Sequence, residues 1–367
     1  MEQILHVGRE GADAFVREFC CGKSVALVTD GPAYSLSGAA AFFDQLLPEV
    51  NQLVVKTPNP KVGEIQILLD QLGVDKPDAF IAVGGGTAMD TAKLLNFAVS
   101  ADKTVQQILE SDSCPVLHPY MAVPTTAGTG AEATRFAVCY EGEKKHSIDF
   151  PEIRPSHVLL LSELTDSLPL YQTMCTGFDA YAQAIESLWA TGATLGSTSY
   201  AREAKSILEI MLPHAVKFLR SEHPIVRMND ASEYKIHTLC DVRRFLMRGA
   251  YLAGQAIDIS RTTAAHAFSY YLTSHYGIPH GHAVYMCFPY VLKANAECEA
   301  FKKKEISIKR IDEVLRALNE CGLMTLRQFC EEKGIGWDQM VDELFANVNL
   351  KRLGNNPCEV RREHFNG

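Results

Sequence analysis

The sequence predicts two domains: an α/β domain of parallel βαβ units over residues 1–162, followed by an all-helical domain over 163–367. Three observations carry this. Short apolar runs alternate with amphipathic stretches in the first half, as strands and crossover helices do. From about residue 165 long stretches of helical period take over. The 367 residues, 47% hydrophobic and 22% charged, suffice for two or three domains with a large core and exclude a disordered chain.

Taken in order, Ser24–Asp30 reads as a buried strand closed by the Gly31-Pro32 turn, and Gln52–Val55 as a second strand ending at Pro58-Asn59-Pro60. Residues 61–73 follow as a helix, with Val62, Ile65, Leu68, Leu69 and Leu72 on its apolar positions. Ala79–Val83 is a third strand, Tyr120–Val123 a fourth and Val158–Leu161 a last, with a hairpin over 136–150. In the second domain the helical stretches are 172–192, 197–220, 230–256 and 306–333. No Gly/Ser linker separates the halves, so a cleft between them is the expected site.

Composition narrows the function. A net charge of −9, from 35 Lys and Arg against 44 Asp and Glu, argues against non-specific binding to nucleic acid or anionic lipid. Between Arg261 and Lys293 no charged residue occurs, yet His266, His275, His280 and His282 with Pro279 and Pro289 make a membrane span a poor reading. The opening residues carry no secretory signal, and eleven scattered Cys without a C-x-x-C pair read as reduced thiols of a cytoplasmic protein.

Two groups of residues carry chemistry. After the third strand, Gly84-Gly85-Gly86-Thr87 lets the backbone approach a ligand without Cβ atoms. Thr87 can cap the helix that starts there, and the N-terminus of that helix suits a pyrophosphate. Lys93 ends the motif. Residues 124–132 hold Thr125, Thr126 and Thr129, and Gly128–Ala133 matches G-x-G-x-x-A by count, a weak signal that still offers a second cradle. Asp30 could accept ribose hydroxyls and favour NAD over NADP, although an Asx-turn explains it equally well. In the second half, Asp179 and Gln183 share a helix face at i, i+4, as do His266 and Tyr270, and His280 follows Pro279. One carboxylate and two imidazoles, with Gln183 adding a neutral oxygen, suit Fe²⁺ or Zn²⁺ better than Mg²⁺ or Ca²⁺.

These motifs together resemble the iron-containing (group III) alcohol dehydrogenase family, related in fold to dehydroquinate synthase. The likeness runs nearly end to end, through Pro58–Pro60, Gly84–Lys93, Pro124–Glu132, Gly177–Glu186 and His266 to Gly281. It implies a Rossmann-like N-terminal domain binding NAD(P), a helical domain holding a metal, and hydride transfer between nicotinamide and a carbonyl. It implies nucleotide contacts at Gly84, Gly85, Gly86, Thr87, Thr125, Thr126, Thr129 and Lys145, and metal ligands at Asp179, His266 and His280. Two departures stand out: Gln183 occupies the place of a ligand His, and Tyr270 that of a second His. Tyr270, His275 or His282 would then carry the catalytic proton. Residues Arg261–Val284 look like the phosphonoacetaldehyde reductase branch, whose anionic substrate would need a cation such as Arg135 or Arg261. The expectation is therefore reduction of phosphonoacetaldehyde or another short aldehyde by NADH rather than NADPH, with a homodimer left open. A dehydroquinate-synthase-like lyase using bound NAD, and a lapsed binding protein, are the other readings.

Overall fold

The structure is a computed structural model describing residues 3–74, 76–142, 144–220, 238–302 and 306–366. Two compact units divide between Leu168 and Pro169, a few residues past the expected junction at 162/163.

The first unit is built on a six-stranded parallel sheet of β1 (Ile4–Val7), β2 (Val25–Thr29), β3 (Asn51–Val54), β4 (Ala79–Gly84), β5 (Tyr120–Pro124) and β8 (His157–Leu160). The spatial order is β1-β8-β5-β4-β2-β3, and β6 (Phe136–Glu141) with β7 (Lys144–Asp149) forms the separate antiparallel hairpin. Every residue of β4 is buried, which is why it reads as an unbroken apolar run. Phe80 and Ala82 pack on one face with Ile65, Leu68, Leu94 and Leu95, and Ile81 and Val83 on the other with Val16, Phe19, Phe42 and Phe43. The helices covering these faces are α1 (Ala12–Cys20) and α2 (Ala39–Leu46) on the second, α3 (Val62–Gln71) and α4 (Gly86–Ala101) on the first. The edge strand β1 adds to the strands expected from the sequence. Its residues Ile4, Leu5 and Val7 are apolar yet exposed, in a run of four broken by His6, and its pairing with β8 supplies its order.

Strand β2 lies between β3 and β4. The chain leaves β2 towards one edge of the sheet and β4 towards the other, which makes the carboxyl ends of β2 and β4 the switch point where α/β sheets bind ligands.

The second unit consists of α5 (Leu170–Trp189), α6 (Leu195–Arg220), α7 (Leu239–Ser260), α8 (Ala264–Tyr276), α9 (His280–Ala296), α10 (Ile308–Glu320), α11 (Leu326–Lys333), α12 (Trp337–Ala346) and single-turn pieces. Residues 230–237 of the helix expected at 230–256 lie outside the described residues; the remainder is α7. The single stretch expected over 306–333 is two helices. Gly322 adopts φ +93, a left-handed turn that ends α10, and Thr325 opens α11 with a capping box closed by Gln328. Helices α5 and α9 are clamped by aromatic pairs, Phe178 against Phe288 at 5.5 Å and Trp189 against Phe288 at 5.6 Å between ring centroids. Among the described residues no helix is long and apolar enough to cross a membrane. The expectation of reduced thiols needs one correction: Cys298 and Cys358 form a disulfide. They stand 60 residues apart, so no local spacing announces the pair.

Candidate metal centre and nucleotide loop

The triple-glycine loop sits at the switch point of the first unit. A Cβ on Gly84 would lie 2.7 Å from Asp30 Cγ and from Ala88 Cβ, and one on Gly86 would lie 3.2 Å from Thr129 Oγ1. The loop is therefore glycine because Asp30, α4 and Thr129 crowd it. Asp30 Oδ2 accepts the Gly85 N–H at 2.9 Å, while Asp30 Oδ1 is buried with no hydrogen-bond partner among the described residues. Burial pushes the Asp30 carboxyl above its usual range, and the Gly85 N–H holds it back in part. An orphaned carboxylate oxygen beside a helix N-terminus fits a dinucleotide, whose ribose hydroxyls donate and whose pyrophosphate needs amide N–H groups.

Several loop residues differ from expectation. Thr87 does not cap α4: Gly85 is the N-cap, and the Thr87 hydroxyl accepts the Asn59 N–H at 3.3 Å. Asn59 has φ +61 in the Pro58-Asn59-Pro60 turn, so that turn is tied to the loop. Thr126 lies over Gly85, and Thr129 accepts the Ala131 N–H at 3.3 Å. Thr125 is buried at the end of β5, its N–H donating to Gly84 O at 3.0 Å. No helix follows 128–133, so the G-x-G-x-x-A count is no dinucleotide fingerprint here. Lys93 is fully buried, donates to Phe136 O at 2.8 Å and Thr134 Oγ1 at 3.2 Å, and pairs with Asp90 at 3.6 Å. It ties α4 to the hairpin rather than holding phosphate. Lys145 stands on β7, half-buried, with its charge felt at Asp90.

In the second unit, the three expected ligands converge. Their donor atoms, one each from Asp179, His266 and His280, all lie within 4.8 Å of one another. His266 Nε2 is 3.1 Å and His280 Nε2 3.9 Å from Asp179 Oδ1. Ligands about 2.1 Å from a tetrahedral ion stand about 3.4 Å apart, so these separations bracket what one ion needs. Asp179 is central on α5, His266 is in the first turn of α8, and His280 begins α9. Gly281 makes that convergence possible: a Cβ there would fall 1.9 Å from Cys175 O and 3.1 Å from Asp179 Cβ. Pro279 precedes His280 as N-cap and sets the entry into α9.

Burial raises the Asp179 carboxyl, but the imidazoles of His280 and His266 outweigh it and leave it below the usual carboxylate range. Burial pushes the His266 imidazole down, and Glu186 and Asp179 more than reverse this, leaving it well above the usual range. Gln183 is buried beside Asp179, and its amide hydrogen-bonds that carboxylate. Glu186, at the end of the Gly177–Glu186 motif, has no role evident from sequence, and in the structure it meets Nδ1 of His266. Its signal was its place seven residues after Asp179, which puts both on one face of α5.

The three expected proton carriers separate. Tyr270 stacks on His280 with centroids 5.7 Å apart and planes 12° from parallel. His275 does not join: nine positions after His266 on a helix, it lies on the opposite side, exposed and stacked on Tyr271. His282 is buried with both ring nitrogens engaged, Nδ1 by the Tyr171 hydroxyl at 2.8 Å and Nε2 by Met324 O at 2.8 Å. Burial lowers its pKa, and the Met324 carbonyl offsets this in part. Both expected anion clamps have structural work. Arg135 pairs with Asp149 at 3.1 Å. Arg261, at φ +65, ends α7 and turns its guanidinium onto the Asp258 and Ile257 carbonyls, as cations do at helix C-termini.

The description "Iron-containing alcohol dehydrogenase" matches residues 6–161, and "Fe-containing alcohol dehydrogenase family, C-terminal" matches 173–360. Phosphonoacetaldehyde reductase of Streptomyces viridochromogenes is 31% identical over 278 residues, which cover 72% of this chain and 65% of that protein. The match thus spans just under two thirds of that relative. The probable alcohol dehydrogenase EutG of Escherichia coli is 28% identical over 80% of this chain and 67% of its own. Among solved structures, sulfoacetaldehyde reductase of Bifidobacterium kashiwanohense in complex with NAD+ has a TM-score of 0.82 at 24% identity, covering 99% of this chain and 95% of that one. The iron-containing alcohol dehydrogenase of Thermotoga maritima has a TM-score of 0.80 at 23% identity, covering 100% and 96%. At such identity the structural likeness establishes the fold.

Proposed function

The chain belongs to the iron-containing alcohol dehydrogenase family, and from that premise we propose that it reduces a short aldehyde bearing a strongly anionic group, using NADH and a divalent metal. Phosphonoacetaldehyde is the first candidate, and 2-hydroxyethylphosphonate its product. The observation that carries the proposal is the Asp179–His266–His280 cluster, with Asp179 and His266 buried and His280 partly open, a donor set of two imidazoles and one carboxylate. Such a set suits Fe²⁺ and also accepts Zn²⁺. When bound, the ion supplies Lewis acidity at the aldehyde oxygen and the nicotinamide supplies hydride.

The chain's own residues hold and orient. Asp179 brings the one negative charge of the donor set, fixed by Gln183. The His280 side chain is 31% exposed, which makes it the open side of the cluster where a carbonyl enters. Tyr270, stacked there, is the side chain we assign to returning a proton to the reduced oxygen. Asp30, whose buried Oδ1 has no hydrogen-bond partner among the described residues, accepts ribose hydroxyls and repels a 2′-phosphate, which favours NADH. The relatives support the substrate class: one is a phosphonoacetaldehyde reductase, and a fold neighbour is a sulfoacetaldehyde reductase.

The test is an assay matrix of purified protein with Fe²⁺, Zn²⁺ or neither, NADH or NADPH, and phosphonoacetaldehyde, sulfoacetaldehyde or propanal. Net NADH oxidation, fastest with phosphonoacetaldehyde, is the expected result. A kcat/KM for propanal equal to that for phosphonoacetaldehyde refutes the anionic substrate, and absence of any net NADH oxidation favours a lyase or a binding protein.

A further inference from the structure

Glu186 is fully buried on α5, and each of its carboxylate oxygens is engaged in the second unit. Oε2 meets Nδ1 of His266. Oε1 accepts the Thr263 hydroxyl at 2.8 Å, the Ala265 N–H at 2.9 Å and the His266 N–H at 3.4 Å. Thr263 Oγ1 in turn accepts the indole N–H of Trp189 at 2.7 Å. The carboxylate thus grips both the ring of His266 and the first turn of the helix that carries it.

An ionised carboxylate can only accept, so Nδ1 of His266 carries a proton and donates it. Its Nε2 then faces Asp179, within the donor cluster. We infer that Glu186 is a positioning residue: it sets the tautomer and orientation of His266 so that Nε2 is presented to the ion, and Thr263, held by Trp189, fixes Glu186 in that role. This rests on the metal reading of the Asp179–His266–His280 cluster. Carboxylate–histidine–metal arrangements lose metal affinity when the carboxylate is removed.

The substitution Glu186→Gln makes the logic specific. An amide that keeps Oε1 towards Thr263 and the Ala265 N–H turns its Nε2–H₂ towards Nδ1. That nitrogen must then accept, and the ring proton moves to Nε2, where it blocks coordination. Zn²⁺ binding to the full chain is measured by competition with a chromophoric chelator at fixed pH. The expected loss for Glu186→Gln is about 10–100-fold. Thr263→Val, which removes only the hydroxyl, should lose several-fold, whereas the smaller Thr263→Ser, which keeps it, should bind as the wild type does. A packing role at this position would reverse that order, since Val fills the Thr volume. Wild-type chain that takes up one ion, with Glu186→Gln within twofold of it, overturns the inference; if Glu186→Gln does not fold, equal binding by Thr263→Val does so. Wild-type chain that takes up no Zn²⁺ or Fe²⁺ overturns the metal reading itself, and is seen without any variant.

Discussion

Gly281→Ala is the most direct probe of how the donor cluster is assembled. The added Cβ would sit 1.9 Å from the carbonyl oxygen and 2.7 Å from the carbonyl carbon of Cys175. Both are backbone atoms inside α5, so no side chain can swing aside. Cβ contacts under 3.0 Å are essentially never seen, and α9 must therefore withdraw from α5 by more than 1 Å. Two costs follow. Overpacking of this kind destabilises by about 1–3 kcal/mol, and a backbone collision belongs at the upper end. For a unit the size of Pro169–Gly367, about 3 kcal/mol lowers Tm by about 6–12 °C. His280, one residue away, starts 3.9 Å from Asp179 and moves farther, whereas metal sites tolerate about 0.2 Å. Scanning calorimetry of the metal-free chain reads the first cost, and chelator competition with Zn²⁺ reads the second, expected as a loss of at least tenfold. Wild-type Tm within 1 °C together with unchanged metal affinity would refute the claim that Gly281 sets the approach of α9 to α5.

Asp30→Ser removes the carboxylate at the switch point, and the ratio of kcat/KM for NADPH over NADH should rise at least tenfold; an unchanged ratio places cofactor choice elsewhere. Glu132 is buried in the first unit, and burial raises its carboxyl from 4.5 to about 7. Its contribution to stability is complete below pH 4.5 and is lost as pH rises through about 7, a difference of about 3 kcal/mol at most. Glu132→Gln should accordingly match the wild type near pH 4.5 and exceed it at pH 8 in urea unfolding, and an equal difference at both pH values would contradict the buried-carboxyl account. Reducing Cys298–Cys358 opens a cross-link spanning 60 residues, for which chain entropy predicts a loss of up to about 4 kcal/mol. Thermal unfolding with and without a phosphine reductant checks this, and coincident midpoints would show that the link contributes nothing.

Periodicity and backbone chemistry made part of this protein readable from its residues alone. Strands buried on both faces, such as Ala79–Gly84, announced themselves as apolar runs, and the glycine triplet marked where backbone and ligand approach. The donor cluster was legible through the family resemblance, because Asp179, His266 and His280 offer suitable donors but their spacing alone does not tell ligands from buried core histidines. Periodicity records burial, however, and not partners. The edge strand Ile4–Val7 exposes its apolar residues Ile4, Leu5 and Val7, so its short run does not record burial, and the break at Gly322 depended on one backbone angle.

Which side chains meet depends on how the helices and strands pack. His266, His275 and His282 are equivalent as letters. The helix turns one into the donor cluster and another to solvent, and the fold clasps the third between Tyr171 and Met324. Arg135 and Arg261 carry the charge an anionic substrate would need, but an ion pair with Asp149 and a helix end engage that charge locally. Glu186 gained its role from His266, 80 positions along the chain. Hydrogen bonds over such separations are set by how helices cross, and the crossing of α5 and α9 is set in turn by the absence of a single Cβ at Gly281.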